Sequence, residues 1–261
     1  MNKKKLDKYF DSVKETQIET IETHAAVTLA ANGSSEISIP IPSSYDFIVK
    51  KISGKQTGTY SLKIISTGDE FPFSNKALHS TAFVGNGNIP YELPQPFLLK
   101  KRGGLRIEVA DLSGAQNTIQ IQLHGFAIYN QKISKDFEAK YSGYYPYFYT
   151  TDNTFSVGTT DTDATMSITK DFDFLCTKVS QFNSNSSTGL QMKIQHSSGN
   201  PMQNNEYIDV NTAMGNAQYP KEFVSPTLFN AGTVVTLTAK DTVANTLYIV
   251  FGGIARRVKV G

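Results

Sequence analysis

Residues 45–53 read "YDFIVKKIS" and residues 172–180 read "FDFLCTKVS", so a chain of 261 residues contains nearly the same stretch twice. Both copies alternate apolar and polar residues, as a strand with one buried face does. We therefore predict one core strand, used once in each of two equivalent units, with Phe47 and Val49 pointing inward. Cys176, the only cysteine, aligns with Val49. It is predicted to be a buried packing residue rather than a nucleophile.

The similarity extends along the chain. "GNGNIPYELPQP" at 85–96 and "GNAQYPKEFVSP" at 215–226 share the pattern G-N-x-x-x-P-x-E-x-x-x-P, 130 positions apart. "NTIQIQLHGF" at 117–126 likewise matches "NTLYIVFGGI" at 245–254. This period is the length of a domain and is too long for a solenoid unit. The predicted organisation is a helical arm over 1–24, a first sandwich over 25–130, a Tyr-rich linker over 131–149 and a second sandwich over 150–261.

Each copy has the pattern of many short strands. Ile37, Ile39 and Ile41 alternate with polar or proline positions, and turn-rich clusters such as "SGKQTG" and "NSNSSTG" separate the apolar runs. Short strands at regular spacing are typical of an antiparallel sandwich or barrel, and about eight strands per copy fit a jelly roll. The predicted class is all-β, with two tandem duplicated antiparallel β-sandwiches (a double jelly roll) and a short N-terminal amphipathic helix.

The arm lies outside the repeat and has a different period. Leu6, Phe10 and Val13 are spaced i, i+4 and i+7, with Tyr9 beside them. This spacing predicts one apolar stripe on a helix. We expect these four residues to form an assembly arm.

The linker is dense in aromatic residues over its second half, "SGYYPYFYT". One interpretation is an ordered strap packed between the two domains. The other is an aromatic surface for a partner or a sugar, because Tyr has an apolar ring with a polar end. The residues of that possible partner surface are Tyr144, Tyr145, Tyr147, Phe148 and Tyr149.

Composition and motifs exclude several classes of function. The net charge is +2, so the charge balance does not demand nucleic acid. The four histidines are scattered, and no P-loop or nucleophile elbow occurs. Three acids recur at equivalent positions, Asp46/Asp173, Asp111/Asp241 and Glu92/Glu222, which favours turn capping over acid–base catalysis. We predict no catalytic residue, no metal site and no cofactor, and hence no enzyme.

One segment resembles a known class of protein. "YELPQPFLLKKRGGLRIEVADLSGAQNTIQIQLHGFAIY" at 91–129 resembles the closing half of β-sandwich domains in bacteriophage structural proteins. Its elements are a proline-flanked apolar strand, a Gly-Gly turn, a strand ending in an Asn/Asp-rich turn and a strand ending in Gly-Phe. At the level of architecture the chain is similar to double jelly-roll coat proteins. That resemblance implies trimers that tile a shell, with an N-terminal helix on the inner side.

The resemblance leads to an expected function. The chain is expected to be a capsid protein that is made in the host cytoplasm and self-assembles as a homo-oligomer, a trimer, in the virion. Its expected partners are further copies, other virion proteins, and a membrane or genome beneath the shell, reached by the arm. The alternatives are a head–tail collar or ring protein, a capsid decoration protein, or a carbohydrate-binding module.

Overall fold

A computed structural model describes residues 18–196 and 206–258. Leu6, Tyr9, Phe10 and Val13 lie outside these ranges. Inside them the first element is a strand, Ile18–Leu29, so the predicted end of the helical arm at residue 24 is wrong. Residues 20–29 alternate between more exposed and less exposed positions with a period of two, which suits a strand and not a helix.

Seventeen strands and three short helices form within the described ranges. The first half contains β1 (Ile18–Leu29), β2 (Ser34–Pro40), β3 (Asp46–Gln56), β4 (Tyr60–Ser66), β5 (Leu78–His79), α1 (Ser80–Phe83), β6 (Tyr91–Leu99), β7 (Gly104–Asp111) and β8 (Asn117–Ile128). The second half contains α2 (Gln131–Tyr141), β9 (Tyr144–Tyr149), β10 (Phe155–Val157), β11 (Thr162–Ser167), β12 (Phe172–Asn183), β13 (Gln191–His196), β14 (Ile208–Asp209), α3 (Val210–Ala213), β15 (Lys221–Phe229), β16 (Val234–Lys240) and β17 (Asn245–Arg257).

The strands form four antiparallel sheets, two in each sandwich. The first sandwich pairs β1-β8-β3-β6 with β2-β7-β4-β5, and the second pairs β10-β17-β12-β15 with β11-β16-β13-β14. The two orders correspond strand for strand, and each is the eight-stranded arrangement of a jelly roll. The predicted double jelly roll is therefore confirmed over the described residues.

The repeated stretch at residues 45–53 and 172–180 lies in the third of the eight strands of each sandwich, β3 and β12. Phe47, Val49, Phe174 and Cys176 are all 0% exposed, which confirms the predicted inward positions. The ladder shifts register between Val49 and Lys51 in β3, and at the equivalent place in β12. A β-bulge at the same position in both copies is a conserved feature of the duplicated fold rather than an irregularity.

Glycine faces each bulge because the strands approach closely there. Gly125 pairs with Val49, and Gly253 pairs with Cys176. A β carbon at either glycine would overlap the carbonyl oxygen of Ile48 or Leu175. This close approach explains why "HGF" and "GGI" occur at equivalent positions.

The region predicted as a linker is not a linker. Its first half is helix α2 and its second half is strand β9, which pairs with β17 from Phe251 to Arg256. Strand β10 pairs with the other end of β17, so β9 and β10 together occupy the place that β1 has in the first sandwich. The second sandwich therefore begins at residue 144, not 150. A strand that is split in two does not repeat the sequence spacing of β1, which is why the repeat alone placed the boundary too late.

Candidate functional site: the contact between the two sandwiches

Two surfaces meet where the sandwiches touch. We call the short helix and the strand after it the edge surface: α1 with β6 in the first sandwich, α3 with β15 in the second. We call the outer side of the sheet that holds the first and last strands the face surface. Ser180 on β12 is fully buried, and its Oγ donates a 2.5 Å hydrogen bond to the carbonyl of Ala82 in α1. The edge surface of the first sandwich thus packs on the face surface of the second.

A stack of three rings forms one end of the contact. The imidazole of His79 lies parallel to the ring of Phe182, with centroids 4.5 Å apart, and 4.2 Å from the ring of Tyr248. Burial lowers the pKa of His79 from 6.5 to about 4. His79 is therefore neutral at pH 7 and serves as an aromatic surface, while its Nδ1 accepts a hydrogen bond from the N–H of Thr81.

A second aromatic cluster forms the centre of the contact. Phe83 of α1 lies 4.6 Å from the ring of Phe148 and 5.0 Å from that of Tyr91. Phe148 comes from β9, so rings from both sandwiches share this cluster. Gly252 lies beside this cluster. A β carbon at residue 252 would come within 2.8 Å of the Tyr91 hydroxyl, so the close packing requires a glycine there.

A buried lysine beside the central cluster bonds the backbone of the first sandwich. Lys178 is 5% exposed, and its Nζ donates a 3.1 Å hydrogen bond to the carbonyl of Glu92. The same Nζ lies 3.6 Å from Glu222 and 5.7 Å from the centroid of the Tyr91 ring. These partners offset part of the cost of burying a charge.

Backbone hydrogen bonds extend the contact along β9. The Phe148 N–H donates to the Phe73 carbonyl at 2.8 Å, and the Asn75 N–H donates to the Phe148 carbonyl at 3.2 Å. The side chain of Asn75 also bonds both backbone groups of Thr150. A segment of the first sandwich is thereby joined to the free edge of β9, so the two sandwiches form a continuous hydrogen-bonded structure at this point.

The counterparts of both surfaces are uncovered in the single chain. The edge surface of the second sandwich exposes apolar side chains: Val224 is 107% exposed and Leu228 is 56% exposed. Tyr219, in the turn before β15, is 63% exposed. On the face surface of the first sandwich, Glu22, His24 and Lys55 are exposed. Each chain therefore has one free edge surface and one free face surface.

The predicted aromatic partner surface is largely wrong. Tyr147 and Tyr149 are buried in the core of the second sandwich, where Tyr149 packs on Phe174, and Phe148 is buried in the contact described above. Their rings cannot reach a partner, because β9 is packed between the two sandwiches, as the alternative interpretation of an ordered strap predicted. Tyr144 is 44% exposed and Tyr145 is partly exposed.

Tyr144 and Tyr145 line a cleft between helix α2 and the first sandwich. Its volume is about 400 Å³. The Tyr145 ring lies 4.5 Å from Phe71. Other lining residues are Asp69, Phe97, Glu138 and Tyr141. The cleft combines aromatic rings with carboxylates.

The repeated acids cap turns, as predicted, in two of the three pairs. Asp46 accepts from the Lys101 N–H and Asp173 accepts from the equivalent Ala231 N–H. The hydroxyl of Ser113, with several N–H donors, holds the pKa of Asp111 well below its usual range. Asp241 has a lowered pKa although burial raises it, because Ser187 and Asn245 donate to its oxygens.

Cys176, the one cysteine of the chain, is fully buried. Burial raises the pKa of the Cys176 thiol. Within residues 18–196 and 206–258, no group of three or more His, Cys, Asp or Glu is placed to hold a metal ion. Over the same ranges, none of the helices has the length and apolar character needed to span a bilayer.

Sequence reasoning missed the contact residues His79, Tyr91, Lys178 and Ser180. A signal was present in the repeat itself. Lys178 and Ser180 match Lys51 and Ser53, whereas His79 and Tyr91 are replaced by Asp209 and Lys221. Positions where two equivalent domains differ in polarity indicate that one copy is covered and the other is not.

Comparison with known proteins finds only distant likenesses. No protein-family model matches the sequence, and no curated protein matches it. Among solved structures, PNGF-II is similar over 95% of this chain and 67% of its own, at 12% identity and a TM-score of 0.35. An archaeal virus protein with a triple jelly-roll fold is similar over 92% of this chain and 59% of its own, at 12% identity and a TM-score of 0.23. A structure from infectious bursal disease virus covers 94% of this chain and 72% of its own, at 6% identity and a TM-score of 0.25. These likenesses are too low to carry function, which is therefore inferred from the contacts of the chain itself.

Proposed function

We propose that this chain is a bacteriophage virion structural protein, a coat protein that self-assembles as trimers of double jelly rolls into the shell. One observation supports the proposal above the others. An edge surface packs on a face surface within the chain, and the counterparts of both surfaces are left uncovered on the same molecule.

The free edge surface and the free face surface favour head-to-tail association of chains. A contact between two different surfaces repeats from one copy to the next and forms a ring if the rotation closes. Three chains supply six similar sandwiches, so a trimer has six near-equivalent contacts. Such a unit tiles hexagonal positions in a shell with little distortion. In this proposal the protein acts in the virion by assembly and not as an enzyme.

Mass in solution tests the proposal. We expect a species of about 86 kDa, three times 28.7 kDa, that forms sheets or shells visible by electron microscopy. A twelve-membered ring would favour the collar or ring protein instead. A protein that stays monomeric at high concentration and low salt would refute the coat function.

The arm has a separate test. In the proposal, residues 1–17 contact neighbouring copies, other virion proteins, or a membrane or genome under the shell. We expect a chain that begins at Ile18 to keep its fold, because β1 starts there, and to lose shell formation. Normal shells from this shortened chain would refute the role of the arm.

The cleft beside α2 supports a second candidate, a carbohydrate-binding protein. Aromatic rings and carboxylates lie together at Phe71, Tyr145, Asp69 and Glu138, and sugars bind through ring stacking and hydrogen bonds. We expect the Tyr145→Ala variant to lose any glycan binding seen on an array. Glycan binding by a monomer, lost on this substitution, would favour this candidate over the coat protein.

A further inference from the structure

Because the two sandwiches are repeats, residues of the buried contact can be matched with residues on the two free surfaces, the edge surface of the second sandwich and the face surface of the first. Residues of the second edge surface lie 130 positions after those of the first, and residues of β12 lie 127 positions after those of β3. Residues of β9 and β1 correspond through their partners on β17 and β8: Phe148 faces Gly252, and Glu22 faces His124. The ring, lysine and serine residues of the buried contact can therefore be assigned counterparts among the described residues.

The ring stack is replaced by an acid and a base. His79 packs on Phe182 within the chain. The counterpart of His79 is Asp209, and the counterpart of Phe182 is Lys55. Asp209 keeps the capping role of His79, since its Oδ1 accepts from the Thr212 N–H at 3.0 Å. The polarity changes on both surfaces together, so the two new residues remain complementary.

The central aromatic cluster changes in the same way. Tyr91 and Phe148 lie 6.0 Å apart across the buried contact. Their counterparts are Lys221 and Glu22, both exposed. In the single chain Glu22 accepts a 2.9 Å hydrogen bond from His124. His124 corresponds to Gly252 of the second sandwich. A second aromatic pair is thus matched by a second pair of opposite charges.

The two polar side chains that bond the backbone keep their residue types in both copies. Lys178 and Ser180, which bond the carbonyls of Glu92 and Ala82, correspond to Lys51 and Ser53. The acceptor for Lys51 would be the carbonyl of Glu222 on the second edge surface. Ser53 is 2% exposed and bonds Nε2 of His124 at 2.7 Å, and the carbonyl of Thr212 accepts from Nζ of Lys221. The lysine contact can therefore be repeated without a matching sequence change, whereas the serine contact would require Ser53 to leave His124.

We propose that the edge surface of the second sandwich docks on the face surface of the first sandwich of another copy, with Asp209 against Lys55 and Lys221 against Glu22. This inference rests on the proposed function and specifies the contact between copies. Two aromatic pairs of the buried contact within the chain are thus replaced by two ionic pairs in the contact between chains. Placing Asp209 on the Phe182–Tyr248 pair would bury a charge against rings, so each edge surface selects its own face surface.

The consequence is that only the contact between copies responds strongly to salt. Attraction between exposed opposite charges is screened over about 8 Å at physiological ionic strength. Ring packing has no such dependence. We expect added NaCl to dissociate the oligomer into intact chains whose two sandwiches stay joined.

Charge reversal tests the pairing. Lys55→Glu and Asp209→Lys are made separately and together, and so are Glu22→Lys and Lys221→Glu. The dissociation constant of the oligomer is measured by analytical ultracentrifugation at low salt. Each single reversal is expected to weaken association about tenfold or more, because like charges then face each other. Each double reversal is expected to restore association to within about threefold of the wild type.

A matched control separates a local effect from a change in net charge. Lys63→Glu makes the same substitution on β4, which lies in the opposite sheet of the first sandwich, and it is expected to leave association unchanged. Circular dichroism checks that each variant is folded. A wild type that never associates would refute the docking together with the proposed function. A wild type that associates, with single reversals that have no effect or double reversals that restore nothing, would refute the docking alone.

Discussion

Acidification is expected to weaken the protein through one histidine in the contact between the sandwiches. His79 is 6% exposed, and burial lowers its pKa from 6.5 to about 4. The folded state therefore binds fewer protons than the unfolded state between these two values. Stability contributed by neutral His79 is present above pH 6.5 and is lost as the pH falls toward 4.

The size of the effect follows from the two pKa values. Between pH 7 and pH 5 the unfolded imidazole becomes almost fully protonated while His79 in the folded protein stays mostly neutral. The free energy of unfolding is expected to fall by about 2 kcal/mol over this interval. The carboxylates with lowered pKa values, Asp111, Asp173 and Asp241, stay charged in this window and do not contribute to the change.

The comparison variant is His79→Asn. Asparagine keeps a side-chain oxygen that can cap α1 in place of the imidazole Nδ1, but it has no group that titrates in this range. Urea unfolding followed by circular dichroism at pH 7 and pH 5 gives the change in free energy for each protein. The wild type is expected to lose about 2 kcal/mol more than the variant. Equal losses in the two proteins would show that His79 does not titrate on unfolding and would refute the reasoning.

Three further predictions concern packing. Gly125→Ala is expected to lower the free energy of unfolding by about 3 kcal/mol, because the new methyl overlaps a carbonyl of β3, whereas Gly87→Ala meets no atom within 4 Å and serves as the control in thermal melts. Phe148→Ala is expected to cost about 3–5 kcal/mol in urea unfolding by opening a cavity between the sandwiches; Tyr144→Ala, on the same strand but 44% exposed, is expected to cost under about 1 kcal/mol, and similar losses would contradict the assigned burial. The thiol of Cys176 is expected to resist a thiol reagent in the native protein and to react once urea unfolds it, because it is fully buried and its pKa is raised; rapid native labelling would place it at the surface.

The strand pattern and the duplication could be predicted from the sequence. Alternation places Phe47 and Val49 on one side of a strand because successive side chains point to opposite faces. The shared motif at Gly85 and Gly215 also has a local cause. In both turns a β carbon would overlap the backbone, and the Asn that follows accepts two N–H groups. The geometry of such a turn depends on a few adjacent residues, so the sequence pattern predicts it.

The linker and its aromatic surface could not be predicted in this way. The segment "YYPYFY" has the composition of an exposed binding surface, yet β9 is hydrogen-bonded to β17 on one edge and to residues 73–75 on the other. These partners are far away in the sequence. The sequence around β9 does not indicate these distant partners, so the burial of Tyr147 and Phe148 could not be predicted from the adjacent residues.

The sequence by itself determined that the chain has two jelly rolls, because period-two alternation, turn residues and close-approach glycines recur at matched positions. Only the tertiary structure decided which surface of each jelly roll is covered. Two domains with the same fold have the same edge and face surfaces, but a single chain can join only one edge to one face. That asymmetry makes His79, Tyr91 and Phe148 buried and leaves Asp209, Lys221 and Glu22 as charges at the surface.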